Sequence, residues 1–111
     1  VNRSPCDGTV KAVKYKPGKF LDARNPECGR LNESNTIHIG NVVVRQIAGA
    51  VARRIVCAAK PGDVLARGQK FGMIKFGSRT EILIPKTSVR ELTVKLKDKV
   101  KGGETIIART V

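Results

Sequence analysis

Lys60-Pro61-Gly62-Asp63-Val64-Leu65-Ala66-Arg67-Gly68-Gln69-Lys70-Phe71-Gly72-Met73-Ile74 can be laid over Val94-Lys95-Leu96-Lys97-Asp98-Lys99-Val100-Lys101-Gly102-Gly103-Glu104-Thr105-Ile106-Ile107-Ala108. Both stretches read as a basic turn, an Asp, an apolar residue, a basic residue, Gly, and then a short apolar strand. A unit of this kind leads the chain from one strand into the next, with Gly supplying the backbone freedom of a tight turn. Two copies in one chain predict an all-β, pseudo-duplicated sandwich.

The remaining sequence is punctuated in the same manner by 11 Gly and 5 Pro, between which apolar and polar residues alternate as in half-buried strands. Thr9-Val10-Lys11-Ala12-Val13-Lys14 alternates after the turn Pro5-Cys6-Asp7-Gly8, and Pro17-Gly18 ends it. Residues 36–39 and 42–47 are β-branched runs around Gly40-Asn41, which reads as a two-residue hairpin loop. Residues 22–34 are polar, contain Pro26 and Gly29, and predict an exposed loop. Between residues 47 and 59 two patterns compete. Ile47, Val51 and Ile55 recur at helical spacing, whereas Arg54-Ile55-Val56-Cys57 reads as a strand. A turn near Gly49 followed by a strand is the preferred reading, and a short amphipathic helix is the alternative.

A length of 111 residues fits one domain, and 41% hydrophobic residues supply one modest core. The net charge of +13 draws phosphate-rich partners, either nucleic acid or an anionic membrane surface. Aromatics are only 4%, which leaves little from which to build a base-stacking platform. Cys6, Cys28 and Cys57 are spaced for neither a disulfide framework nor a zinc motif, and predict reduced thiols in a reducing compartment. With a single His, no metal site is indicated. Uncharged stretches fall far short of the roughly 20 apolar residues of a spanning helix. The first residue is Val1 and no signal-peptide pattern follows it, so further sequence is expected upstream.

The strand-turn unit resembles those of biotinyl and lipoyl carrier domains and of sugar-phosphotransferase IIA domains, which implies a barrel-sandwich hybrid. Those modules carry a hairpin-tip lysine, commonly after Met, or an active-site histidine. Here Met73 is followed by Ile74, so the resemblance implies the architecture without the carrier function.

Gly77-Ser78 joins the first unit to the strand Thr80-Glu81-Ile82-Leu83-Ile84-Pro85. Read alone, such a dipeptide is a kink with a locally bonded hydroxyl. In the setting Phe71-Gly72-Met73-Ile74-Lys75-Phe76-Gly77-Ser78-Arg79 it resembles the processing site of the phosphatidylserine decarboxylase family, especially its short bacterial and archaeal form. Val1-Asn2-Arg3-Ser4-Pro5-Cys6-Asp7-Gly8, Pro17-Gly18-Lys19-Phe20-Leu21, Asn32-Glu33-Ser34-Asn35, Gln46-Ile47-Ala48-Gly49, Ala52-Arg53-Arg54-Ile55-Val56-Cys57 and Gly103-Glu104-Thr105 resemble family segments in family order.

In that family the serine attacks the carbonyl of the preceding glycine, and elimination from the ester leaves a pyruvoyl group at the new N-terminus. The resemblance therefore implies Ser78 as the precursor of a covalent pyruvoyl cofactor and Gly77 as the end of the upstream piece. Residues 1–77 would belong to the β chain and 78–111 to the α chain of a single decarboxylase-like β domain. The implied reaction is decarboxylation of phosphatidylserine, or archaetidylserine, to the ethanolamine phospholipid, with the pyruvoyl carbonyl as electron sink. The implied partners are anionic phospholipid at the cytoplasmic side of a membrane, an upstream segment of the same protein, and a possible second copy.

The family's histidine base and the aspartate that orients it belong to segments placed before Val1. His38 lies in an alternating strand and reads as structural or exposed. Asp7 lies in a Pro-Cys-Asp-Gly turn resembling the later of two such family turns, and reads as a turn residue. Arg53 and Arg54 would point to opposite faces of a strand, so one could clamp a lipid phosphate, or both could be solvated. Lys95, Lys97, Lys99 and Lys101 form a basic face that is either solvated or a membrane or nucleic-acid contact. Two rival functions follow: an inactive homologue serving as a basic structural subunit of a larger ribonucleoprotein or membrane complex, and a carrier module.

Overall fold

The computed structural model describes residues 1–22, 24–50, 54–75 and 78–110. Its elements run β1 (Asn2–Arg3), β2 (Gly8–Lys16), the helical turn α1 (Cys28–Leu31), β3 (Ser34–Ile39), β4 (Val42–Ile47), β5 (Ile55–Cys57), β6 (Val64–Leu65), β7 (Lys70–Ile74), β8 (Arg79–Leu83), a 3-10 turn (Lys86–Ser88), β9 (Val89–Leu92) and β10 (Ala108–Thr110). The described fold is therefore all-β apart from two short helical turns. Its strands form a five-stranded sheet in the order β6-β2-β3-β4-β8, a three-stranded sheet β1-β7-β5, and a two-stranded ribbon β10-β9.

The five-stranded sheet is built on the Gly40-Asn41 hairpin. Gly40 takes φ +58 at the first loop position, where glycine meets no steric penalty, and β3 and β4 then pair from Ile39↔Val42 to Ser34↔Ile47. Alternation sends Ile37, Ile39, Val42 and Val44 inward, while Thr36, His38, Val43 and Arg45 stay half-buried on the other face. In β2 the register against β3 slips between Val10 and Ala12, so that Val10 faces Ile39 and Val13 faces Ile37. The bulge at Lys11 turns both valines toward the core despite their odd spacing.

The hydrophobic core joins Val10, Ile37, Ile39 and Val44 of the large sheet to Ala59, Leu65 and Phe71, with Cys6, Val13 and Cys57 packed on its margin. A polar tie runs beside it. Gln46, fully buried, donates from Nε2 to Val56 O at 3.1 Å and to Asn2 Oδ1 at 2.9 Å, and its Oε1 accepts from Asn35 Nδ2 at 3.0 Å. Gly72 makes room for it, since a Cβ there would stand 2.3 Å from Val56 O and 2.7 Å from Gln46 Nε2.

The repeat is present at atomic detail, 35 residues apart where the overlay of the two stretches implied 34. Lys60 N–H donates to Asp63 Oδ2 at 2.9 Å, and Lys95 N–H to Asp98 Oδ2 at 2.9 Å. Asp63 N–H closes on Lys60 O at 3.0 Å, and Asp98 N–H on Lys95 O at 3.1 Å. Gly62 and Lys97 both take positive φ, +96 and +70, as do Gly68 and Gly103 at +84 and +81. Each pair of turns then returns the chain antiparallel to the strand it left, Cys57 opposite Gly72 and Leu92 opposite Ala108.

Residues 22–34 differ from the expected exposed loop. They contain α1, bury Cys28 and Asn32 completely, and lead directly into β3. The reason is polar rather than apolar. Asn32 Nδ2 donates to Leu21 O at 2.8 Å and to Ala48 O at 2.7 Å, and its Oδ1 accepts from Leu21 N–H at 2.9 Å, so the side chain acts as an internal strut. The preferred strand after Gly49 is present as β5; residues 51–53 of the competing helical pattern lie outside the described residues.

Candidate active site

The Lys75–Ser78 connection carries the chain from one sheet to the other. Ile74, the last residue of β7, lies opposite Ile55 in the three-stranded sheet, and Arg79, the first residue of β8, lies opposite Ile47 in the five-stranded one. Ser78 is half-buried, and its hydroxyl donates to the Lys75 carbonyl at 2.7 Å. Among the described residues that one backbone carbonyl holds it, so a rotation about χ1 frees the oxygen for chemistry. A group made from Ser78 itself therefore fits the residues present.

Two polar arrays flank the serine. On one side the buried tie through Gln46 and Asn2 continues to Thr80, whose Oγ1 accepts from Asn2 Nδ2 at 3.3 Å. On the other, Glu81 accepts from Arg45 through Oε1 at 2.7 Å and from Arg79 through Oε2 at 2.6 Å. Arg45 also donates to Gly29 O at 2.6 Å, and Arg79 reaches Cys28 Sγ at 3.7 Å, which seats α1 over this cluster. Two guanidinium groups on one carboxylate leave local positive charge beside Ser78.

Gly77 and Arg53 lie outside the described residues. Arg54 is exposed, and continuing the Ile55↔Ile74 register by one step brings it opposite the exposed Lys75. His38 stands in the row His38–Val43–Leu83, four residues along the sheet from the row Ser34–Ile47–Arg79 next to Ser78. That is roughly 13 Å of strand, too far for proton transfer. Asp7 is a turn residue, its Oδ1 accepting from Arg67 N–H at 2.7 Å. No group of three or more potential metal ligands occurs among the described residues, and no described helix is long and apolar enough to cross a membrane.

Sequence reasoning passed over Arg45, Arg79, Glu81, Asn2 and Gln46. A signal existed for two of them: Arg45 and Gln46 are polar residues inside an apolar β-branched run, and such residues are tolerated there only with partners.

Residues 1–108 match the family model described as phosphatidylserine decarboxylase. The chain is 50% identical to the phosphatidylserine decarboxylase proenzyme of Carboxydothermus hydrogenoformans, over 98% of its own length and 53% of that protein. It is 46% identical to the proenzyme of Rhodopirellula baltica, over 97% of the chain and 48% of the relative, and 44% identical to that of Solibacter usitatus, over 98% and 54%. It thus spans about half the length of the curated relatives it matches. No solved structure matches it. With residues 1–108 matched by that family model and 44–50% identity to these proenzymes over nearly its whole length, the chain belongs to the phosphatidylserine decarboxylase family.

Proposed function

We propose that this chain is the self-processing part of a decarboxylase that converts phosphatidylserine, or an archaeal analogue, to the ethanolamine phospholipid. The observation that carries the reading is Ser78 on the connection between two sheets, in a chain of this family, with its hydroxyl held by one carbonyl. Released from Lys75 O, the Ser78 oxygen adds to the Gly77 carbonyl and turns the Gly77–Ser78 amide into an ester. Loss of the Ser78 Cα proton forms a Cα=Cβ bond as the Cβ–O bond breaks and frees the Gly77 carboxylate; the resulting enamine shifts a proton to Cβ, and water hydrolyses the imine to a carbonyl and ammonia. Gly77 offers no side chain to obstruct this attack. The base that accepts the serine proton is assigned to sequence preceding Val1.

The pyruvoyl group so formed supplies a carbonyl that takes the substrate amine and receives the electrons left as carbon dioxide departs. The chain's own residues do the rest. The ladder of β8 with β4, from Ile47↔Arg79 to Val43↔Leu83, and the Arg45–Glu81 ion pair keep the downstream piece on the upstream one after cleavage. Arg54, with Arg53 beside it in sequence, and Lys75 offer cationic groups to the lipid phosphate at the same end of the sheet as Ser78. The setting is the cytoplasmic surface of a membrane, in keeping with the net charge of +13 and three cysteines that form no disulfide. The 35-residue repeat supports a barrel-sandwich hybrid of the biotinyl and lipoyl type as the parent architecture.

The test is Ser78→Ala in the polypeptide extended to the length of its relatives, assayed for carbon dioxide release from phosphatidylserine in mixed micelles. Loss of both chain cleavage and decarboxylation is expected. Decarboxylation that persists in this variant would overturn the assignment of Ser78, and an uncut, inactive parent protein would favour the basic structural subunit that +13 also suits.

A further inference from the structure

Cleavage at Gly77-Ser78 would change how residue 78 is held. In the uncut chain it is tethered from both sides, by the connection from β7 and by β8. Once that bond is broken, residue 78 begins the downstream piece and is held through Arg79 alone. β8 lies at the end of the sheet order β6-β2-β3-β4-β8, with β4 on one side and no strand on the other among the described residues. The free end of an edge strand is where a sheet opens first. Arg79 must therefore be fixed if a group at position 78 is to keep its place.

Side chains supply that anchor. Arg79 lies opposite Ile47 on β4, and its guanidinium is held at both ends, Nη2 standing 2.6 Å from Glu81 Oε2 and Nη1 donating to Cys28 Sγ at 3.7 Å. Arg79 and Glu81, two positions apart on β8, share a face, and Arg45 stands opposite Glu81 with Nη1 2.7 Å from Oε1. Arg45 also donates to Gly29 O at 2.6 Å, so that β8, β4 and α1 meet in one cluster. Cys28 is completely buried, and the Arg45 and Glu81 side chains are each 24% exposed. Such partial burial makes charge-assisted bonds stronger than the same pairs in open water.

On the reading of self-cleavage proposed above, we infer that Arg79, held by Glu81 and by the seat of α1, is a positioning residue that keeps the group made from Ser78 in the site after the bond before it is gone. The cluster bridges the cut. Arg79 and Glu81 go with the downstream piece, whereas Arg45, Cys28 and Gly29 go with the upstream one. Before cleavage the chain itself fixes residue 78 from either side, and the anchor on Arg79 is redundant. Afterwards it replaces the lost tether.

Two forms of the polypeptide extended to the length of its relatives separate this role from that of a merely structural ion pair. In the form carrying Ser78→Ala, which stays in one piece, Arg79→Met should leave hydrogen exchange of residues 79–83 within about 2-fold of its parent. In the self-cleaved form the same change should speed that exchange about 10-fold. The carbonyl at position 78 should also condense with phenylhydrazine about 10-fold faster, followed as hydrazone absorbance. Arg79→Met leaves the Arg45–Glu81 pair in place, so the sheet keeps its main tie. Arg79→Lys, which still offers a cation to Glu81, should recover most of the slow exchange and slow condensation. Equal acceleration in the one-piece and cleaved forms would overturn the inference, because the pair would then act on the fold alone. Rates unchanged in the cleaved form would overturn it too, as would an Arg79→Met protein that is not cut. A parent protein that stays uncut and forms no hydrazone would instead overturn the proposed self-cleavage, and this role with it.

Discussion

The two turn units contain the same backbone and opposite surfaces. In the first, Leu65 and Phe71 lie under the segment that includes Val10; in the second, Val100 and Ile106 stand in water on turns closed by the same aspartate bonds. Turn geometry here is therefore a local property, set by an Asp accepting from the residue three before it and by a residue that tolerates positive φ. Burial is a property of what the turn meets. The proposed cleavage site lies between the two, so processing at Gly77-Ser78 would leave the covered unit on one piece and the bare unit on the other.

The comparison predicts unequal penalties for equal changes. Leu65→Asp buries an unpaired charge and should cost about 3–5 kcal/mol by urea denaturation, enough to unfold much of the population. Val100→Asp in the same 111-residue chain should stay within about 0.5 kcal/mol. Equal losses would mean that the second unit is already packed. Next in size, Gly62→Ala forces a side chain into positive φ and should cost about 1 kcal/mol, whereas Lys97→Gly removes that strain and should slow exchange of the Thr93 amide, which bonds to Ile107 O at 2.9 Å. The reverse signs would show that the turns are not equivalent.

The smallest effect concerns the cover itself. Burial, and then the nearby Asp7 carboxylate, push the Cys6 thiol above its ordinary range. It should hold its proton further into alkaline solution and alkylate more slowly than a free thiol at the same pH. Because the folded state binds that proton more tightly, the contribution of Cys6 to stability is present at neutral pH and is lost as pH rises through the thiol range. Leu65→Asp should restore ordinary reactivity. Unchanged alkylation rates would show that the cover does not close on the first unit.

The hairpin around Gly40-Asn41, β2 and the repeat were legible because turn residues and β-branched runs act over a few positions. The strut made by Asn32, the tie through Gln46 and the seat of α1 over Arg45 and Glu81 were not, because their partners are 10 to 44 residues away in sequence. A polar run such as residues 22–34 reads as solvated whether its amides face water or a neighbouring carbonyl. For the site, Ser78 stood out through its family setting, whereas the charges around it emerge only when β8 is laid against β4.

The central claim is that Ser78 is consumed by breaking its own peptide bond. The most direct measurement is the intact mass of the extended polypeptide under denaturing conditions, before and after mild hydride reduction. The account predicts two fragments meeting at Gly77 and Ser78, the smaller with a blocked N-terminus that takes up hydride. A single uncut mass, or a downstream fragment with a free serine amine, would contradict it.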